Sequence, residues 1–298
     1  RFRPESGDIQ PSYESAGGFG IAMDSWGRMF GCHGVVHIQH MPVRMEYLAR
    51  ELNLEFPSTR DHISDHEDAP RLFPISNPET RFNHPELAGR FSGASGLTFY
   101  GGGALPAPYI DSFFVADVAA NVVHLDVLSP DGPSFKARRY PERIEFLAGK
   151  DRWFRPVNLS TGPDGALYVL DMHRGVIEHP EWVPEVIRKK LDLRAGDTKG
   201  RIYRLVPRTG LKPARPRLSS GSVATLVGAL SNPNKWWRDT AQRLLVERQD
   251  LGAAPMLIQA FGASREAVTR VHALWTLEGL NALTTELILT ALVDPHPG

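Results

Sequence analysis

Residues 151–182 read DRWFRPVNLSTGPDGALYVLDMHRGVIEHPEW, and residues 199–207 close the same stretch with KGRIYRLVP. Two short β-runs flank the turn Gly162-Pro163-Asp164-Gly165. A polar loop rich in His, Arg and Glu follows, and a third β-run ends the unit. Glycine at the turn positions permits the φ > 0 geometry that tight hairpins need. The same grammar recurs upstream. Residues 17–43, GGFGIAMDSWGRMFGCHGVVHIQHMPV, give run, turn (Asp24-Ser25-Trp26-Gly27), run, loop, run. Residues 95–129, SGLTFYGGGALPAPYIDSFFVADVAANVVHLDVLS, give that order with a longer first turn. Alternation supports strands: Val123, Leu125 and Val127 fall on one face, and Val122, His124 and Asp126 on the other. Units of this kind, four strands each, predict a β-propeller, with a plain antiparallel sandwich as the alternative.

The composition is that of a globular protein, with 42% apolar and 23% charged residues in 298. The formal net charge is zero, which removes the electrostatic case for nucleic acid or an anionic membrane surface as partner. A single cysteine, Cys32, excludes an internal disulfide and a thiolate metal cluster. Lying between two glycines of a β-run, it reads as a buried thiol in preference to a nucleophile. No apolar run approaches the length of a membrane span, and no secretory signal is visible.

Strand and turn signals fill residues 1 to about 210, with helical signals beyond them. The change falls at LVPRTGLKPARPRLSSGS, residues 205–222, and a linker is expected over 211–221. Roughly Val43 to Phe91 reads as an insertion: a helix-like piece, MEYLARELN, and then the aperiodic DHISDHEDAPRLFPISNPETRFNHPE. From 222 to 298 the motif Arg-x-x-Ala-x-x-x-Leu occurs at Arg238/Ala241/Leu245 and again at Arg270/Ala273/Leu277, an offset of 270 − 238 = 32 residues. That period predicts stacked helix pairs of the HEAT type. Asn232-Pro233 and Ala253-Ala254-Pro255 suit helix starts. The opening RFRPESGDIQPSYES reads as the last two strands of a blade, and the closing DPHPG follows a helix directly, so an internal piece of a longer protein is expected.

Several phrases in combination carry a family resemblance: FGIAMDSWGRMF, HIQHMPV, LFPISNPETRFNHP, DSFFVADVAANVVHLDVLSPDG, the 151–182 stretch, KLDLRAGDTKGRIYRLVP and WWRDTAQRLL. Together they resemble the large bacterial PVC-type haem-binding proteins, a family of membrane-bound dehydrogenases, over nearly the whole chain. The resemblance implies a propeller like that of quinoprotein glucose dehydrogenases, then HEAT-like repeats, then a cytochrome c domain carrying C-x-x-C-H. It implies oxidation of a small-molecule substrate, a sugar or related alcohol, with electrons passed to the cytochrome c domain of the parent chain. It also implies a periplasmic or cell-envelope location and a PQQ-like quinone as cofactor. This sequence has no C-x-x-C-H, since Cys32 is followed directly by His33, so haem c is assigned to no residue in it.

In a propeller the loops between second and third strands gather at one mouth of the channel. That places Asp171, His173, Arg174, Glu178 and His179 of the last unit there, with Asp117 and Asn121 of the middle unit and His33 and His37 of the first. His173 or His179 beside Asp171 is the expected general base, its basicity raised by the carboxylate. Arg155 is the expected anion clamp for a carboxylate or a quinone, and Arg174, Asn121, His33 and His37 are the further cofactor-binding candidates. The competing reading makes these Asp and Arg side chains turn caps and blade-to-blade ties. No metal site is assigned. His62 and His66 in DHISDHED have the spacing of a zinc pair on a helix, but the segment lacks helical period and reads as a solvated acidic loop. No calcium ligand spacing is present, which ranks a lactonase-like hydrolase low; Asp164 reads as the cap of its own turn. A non-catalytic module binding protein or glycan is the alternative to the oxidoreductase.

Overall fold

Both faces of the strand Val122–Asp131 are covered over its first half: Val122, Val123, His124, Leu125 and Asp126 are all buried. Alternation therefore separates two interiors, one lined by Val123 and Leu125, the other carrying His124 and Asp126. The computed structural model describes residues 6–9, 18–50, 58–66, 70–77 and 84–298.

Among the described residues there are three antiparallel sheets. The first orders β1 (Gly20–Met23), β2 (Met29–His33), β3 (Val36–Met41) and β4 (Asp61–His62) side by side. The second runs β5 (Ala94–Tyr100), β6 (Ser112–Asp117), β7 (Val122–Asp131) and β8 (Ser134–Arg139), with β9 (Leu147–Ala148) also paired to β7. The third is β10 (Pro156–Thr161), β11 (Leu167–Asp171) and β12 (Arg201–Leu205). Each begins with the run–turn–run–loop–run order read from the sequence. The described sheets have four, five and three strands and do not close into a ring. Of residues 1–15, where the last strands of a preceding blade are expected, only 6–9 are among the described residues.

The insertion departs from expectation. Its helix-like start is a single turn, α1 (Met45–Leu48), and residues 51–53 of that reading lie outside the described residues. DHISDHED exposes Asp61, His62 and Asp65, as expected of a solvated acidic segment, but its described part is tied to both sheets and is not a free loop. Asp61 and His62 form β4 on the first sheet, and Ile63 is buried. Ser64 then bridges Ala137 of β8, where Asp65 N–H donates to Ala137 O at 2.9 Å. One apolar anchor and single-residue bridges produce no periodic signal.

The core of this β unit gathers Phe30, Cys32 and Ile38 from the first sheet and Phe113, Val115 and Val122 from the second. Ile63, Leu72 and Phe91 of the intervening segment complete it. Cys32 is an inert thiol, its pKa pushed up to about 11 by burial. A second turn of helix, α2 (Glu185–Arg188), lies in the long loop between β11 and β12.

The other unit comprises residues 206–298 with the short segments 101–106 and 161–166. Its helices are α3 (Val223–Ala229), α4 (Lys235–Arg248), α5 (Ala254–Ala263), α6 (Ala267–Gly279) and α7 (Thr285–Ala291). They share a core of Leu226, Leu230, Ala241, Leu245, Leu257, Ala273 and Leu277. The 32-residue repeat has a physical basis. Arg238 Nη1 donates to the carbonyls of Asn232 and Pro233, and Arg270 Nη1 to those of Ser264 and Arg265, so each arginine ties down the turn that precedes its own helix. Asn234 caps α4, two residues after the expected Asn232-Pro233 start, and Pro255 opens α5. Trp236 and Trp237 are half-buried, and Trp237 Nε1 donates to Pro163 O within this unit at 2.7 Å. No helix among the described residues is long and apolar enough to cross a membrane.

Gly96 lies at φ +61° where β5 breaks register, and a Cβ there would sit 2.5 Å from Asn158 Cα. Gly96→Ala is expected to cost about 2 kcal/mol or more, read from denaturant midpoints. In the helical unit, Arg238 Nε–H can only donate, so His272 Nε2 accepts from it (3.3 Å), while Nδ1 faces Gln242 Oε1 at 2.6 Å. Burial, reinforced by Arg238 and Lys235 and opposed by Asp239, pushes His272 from 6.5 down to about 4. The unfolded chain then binds more protons, so the helical unit loses stability as pH falls from about 6.5 towards about 4. His272→Gln should flatten that slope in thermal unfolding followed by circular dichroism.

Candidate functional site

Asp117 and Asp171 stand at the ends of β6 and β11, 171 − 117 = 54 residues apart, and do the same work. Each strand ends in a turn whose N–H groups have no strand partner, and each next-door first strand enters through another such group. Asp117 accepts from Ser92 and Gly93, just before β5, and from Ala119 and Ala120 in its own turn, at 2.9–3.0 Å. Burial pushes its pKa up, and those four donors oppose the shift. Asp171 Oδ1 accepts from Arg155 N–H just before β10 (2.7 Å) and from His173 N–H in its own turn (2.8 Å). In the first sheet the corresponding strand end is His33, half-buried, its pKa lowered first by burial and then by His62 and Arg60.

Around Asp171 the expected residues converge in part. Arg155 is 1% exposed. Its Nη1 donates to Val118 O and its Nε to Arg174 O, both at 3.1 Å, tying the β6–β7 turn to the loop after β11. Asn121 is likewise engaged: Nδ2 donates to Arg152 O and Phe154 O, and Oδ1 accepts from Ser76 Oγ. Arg174 Nη2 donates to Leu193 O, while its Nε is buried without a partner. Arg155 and Asn121 thus hold backbone carbonyls and do not present a clamp to a quinone. Nothing in this arrangement fits them to that cofactor.

His173 differs from its neighbours. It is 7% exposed and held at φ +50°, a region that costs energy for a residue with a Cβ. Its Nδ1 lies 3.4 Å from Asp171 Oδ2, and neither atom has a hydrogen-bond partner. The Trp153 ring meets it edge-on at 5.7 Å. Only glycine lets the following turn close over it: at Gly196, φ +89°, a Cβ would lie 2.3 Å from His173 O. His179 stands apart and exposed, its Nδ1 accepting from Glu181 N–H at 3.3 Å as the cap of a short 3-10 turn.

His37 belongs to a second cluster, with His66, His124 and Asp126, in which one ligand-type atom of each residue lies within 4.8 Å of the others. The Nε2 atoms of His37, His124 and His66 stand 2.9, 3.2 and 3.7 Å from the Asp126 oxygens. β3 supplies His37, β7 supplies His124 and Asp126, and the strand-like excursion after β4 supplies His66. Phe91 stacks flat on His37 at 4.6 Å. Behind His124, Glu145 accepts at Nδ1 (2.8 Å) and is held by Arg139 and by the Phe73 N–H. Burial disfavours the His124 imidazolium but is outweighed by Asp126 and Glu145, which raise it to about 9. Burial lowers His37 and His66, against the pull of Asp126.

Residues 1–209 match the model of the family described as Domain of unknown function (DUF7133). The chain belongs to the DUF7133 family. No curated protein and no solved structure matches it. Both clusters lie inside the DUF7133 match, which ends near the boundary between the two units. Of the residues predicted for this domain, Asp171, His173, Arg155, Arg174 and Asn121 meet in one network, whereas His179 does not join it and His37 sits in the other cluster. Sequence reasoning missed His124, Asp126 and Glu145. The signal available was the presence of His124 and Asp126 on one face of an otherwise apolar strand.

The tie made by Arg155 is testable. Arg155→Lys keeps the charge but loses the planar fork that reaches two carbonyls, and it should destabilise the DUF7133 domain by about 2 kcal/mol in urea unfolding.

Proposed function

We propose that this chain is the propeller and HEAT-like part of an envelope oxidoreductase that oxidises a sugar or related alcohol and passes electrons to a haem c domain of the parent protein. The observation that carries the reading is the His173–Asp171 pair. A buried imidazole in a strained backbone conformation lies beside a carboxylate whose second oxygen has no other partner. Such a pair suits proton abstraction from a substrate hydroxyl, because the carboxylate orients the ring and stabilises the imidazolium that forms. Recurrent sheets with the same strand-end carboxylate support the propeller, and the resemblance of the 151–182 stretch to haem-binding dehydrogenases supports the chemistry. Oxidation of the alcohol to a carbonyl releases two electrons and two protons. His173 would take the hydroxyl proton, and the C–H bond would break with transfer of its hydrogen and electron pair to a two-electron acceptor of the quinone class. That acceptor would release the second proton and pass the electrons singly to the haem domain.

A second reading, a non-catalytic module binding protein or glycan, is favoured by Arg155, Asn121 and Asp117, whose polar atoms are engaged in holding the backbone. Dye-linked oxidation by the full-length protein over a panel of sugars, with and without added quinone, separates the two. The oxidoreductase reading expects turnover that His173→Gln lowers on the order of 10²-fold or more while circular dichroism is unchanged. Absence of turnover on any sugar, with haem spectra unaffected by substrate, would favour the binding module.

A further inference from the structure

We infer that His37, His66, His124 and Asp126 form a binding site for one divalent transition-metal ion of the zinc class, closed by four protein ligands and serving to cross-link the first two sheets. This does not depend on the oxidoreductase reading. The first argument is the state of the facing atoms. His37 Nε2, His66 Nε2 and Asp126 Oδ2 are buried, and the nearest polar atoms facing them are those of the cluster itself, with His37 Nε2 2.9 Å from Asp126 Oδ2 in a contact too poorly aligned for a good hydrogen bond. Polar atoms that converge at one interior point and satisfy one another poorly are costly, and a cation would satisfy them together.

The second argument is the donor set. Three imidazoles and one carboxylate suit zinc and its neighbours in the transition series; calcium and magnesium prefer all-oxygen sites. Ligand atoms on a tetrahedral ion with ~2.0 Å bonds stand ~3.3 Å apart. His124 and His66 Nε2 stand 3.2 and 3.7 Å from Asp126 Oδ1, and His37 Nε2 stands 2.9 Å from Oδ2, so one ligand atom of each residue lies within 4.8 Å of the others and a small inward movement would reach that spacing.

The third argument is the outer shell. His124 Nδ1 faces Glu145 at 2.8 Å and His66 Nδ1 contacts Asp65, so with each Nδ1 protonated towards its carboxylate the Nε2 atoms are the ones turned inward, and a cation would take the place of the Nε2 proton of His124. Carboxylate–histidine–metal arrangements of this kind fix ring orientation in metal sites. Glu145 is fixed in turn by Arg139 and by the Phe73 N–H, so the support is built into three chain segments. Four protein ligands leave no coordination position for a substrate, which marks the ion as structural.

The test uses the full chain stripped with a chelator and titrated with Co²⁺ as a spectroscopic probe, followed by Zn²⁺. The expected result is one Co²⁺ per chain, visible absorption of tetrahedral intensity, displacement by Zn²⁺, and a higher unfolding midpoint with metal. His66 lies on the least buried edge of the cluster, so His66→Gln should keep the fold while weakening Co²⁺ binding at least about tenfold. Asp126→Asn should abolish it. His62→Gln should change nothing, because that ring contacts Gln39 Nε2 at 2.7 Å. A folded chain that takes up no Co²⁺ overturns the inference. So does uptake that is unaffected by His66→Gln or lost in His62→Gln.

Discussion

The β unit depends on carboxylates placed where strands end. A four-fold acceptor at Asp117 and its counterpart at Asp171 each join the turn that leaves one strand to the segment that enters the first strand of the same sheet. Strand termini leave N–H groups without a ladder, and burying them unpaired would be destabilising. One short side chain resolves this at each sheet, which explains why the aspartate sits at the same place in two repeats. Arg155 extends the scheme by holding carbonyls from turns of two different sheets. Much of what looks like catalytic decoration in the sequence is, in this sense, backbone accounting.

That principle sorts the residues once grouped as a single site. Arg155 and Asn121 have the chemistry of ligand clamps, yet their donors meet backbone carbonyls. His173 is held in position by the same Asp171 through its backbone N–H, and its Nδ1 faces the second Asp171 oxygen at 3.4 Å without a hydrogen bond. Asp171 accepts the backbone N–H of both Arg155 and His173, so the distinction turns on whether the side chain itself is taken up by backbone carbonyls, and a sequence carries no information about that. Both readings of the Asp and Arg residues, caps or catalysts, were open from the pattern alone, and the geometry divides them residue by residue.

The metal-type cluster shows a different limit. Its four members come from β3, β7 and a segment beside β8, separated by 126 − 37 = 89 residues at the extremes. Local spacing was a poor guide. The His62/His66 pair, four apart, has helical zinc spacing, but the chain is extended there, so alternation and a one-residue bridge send His62 to Gln39 and His66 inward. The described acidic residues of DHISDHED, Asp61 and Asp65, do face solvent, as their charge suggests, but Ile63 anchors the segment in the core and His66 is half-buried; a single apolar residue is too little for a periodic signal.

By itself the sequence determined the order of the architecture: antiparallel strand units with glycine turns up to about residue 210, then helices with a 32-residue repeat anchored on Arg238 and Arg270. Those features follow from local rules, side-chain period and turn chemistry, which act between residues a few positions apart. Only the tertiary structure decided that Asp117 and Asp171 close strand ends, that Arg155 is a tie, and that His37, His66, His124 and Asp126 face one point. Each of these depends on which strands become neighbours in space. Strand neighbours are selected by burial of Phe30, Ile38, Phe113 and Phe91 in one core, an interaction that has no signature at any fixed spacing along the chain.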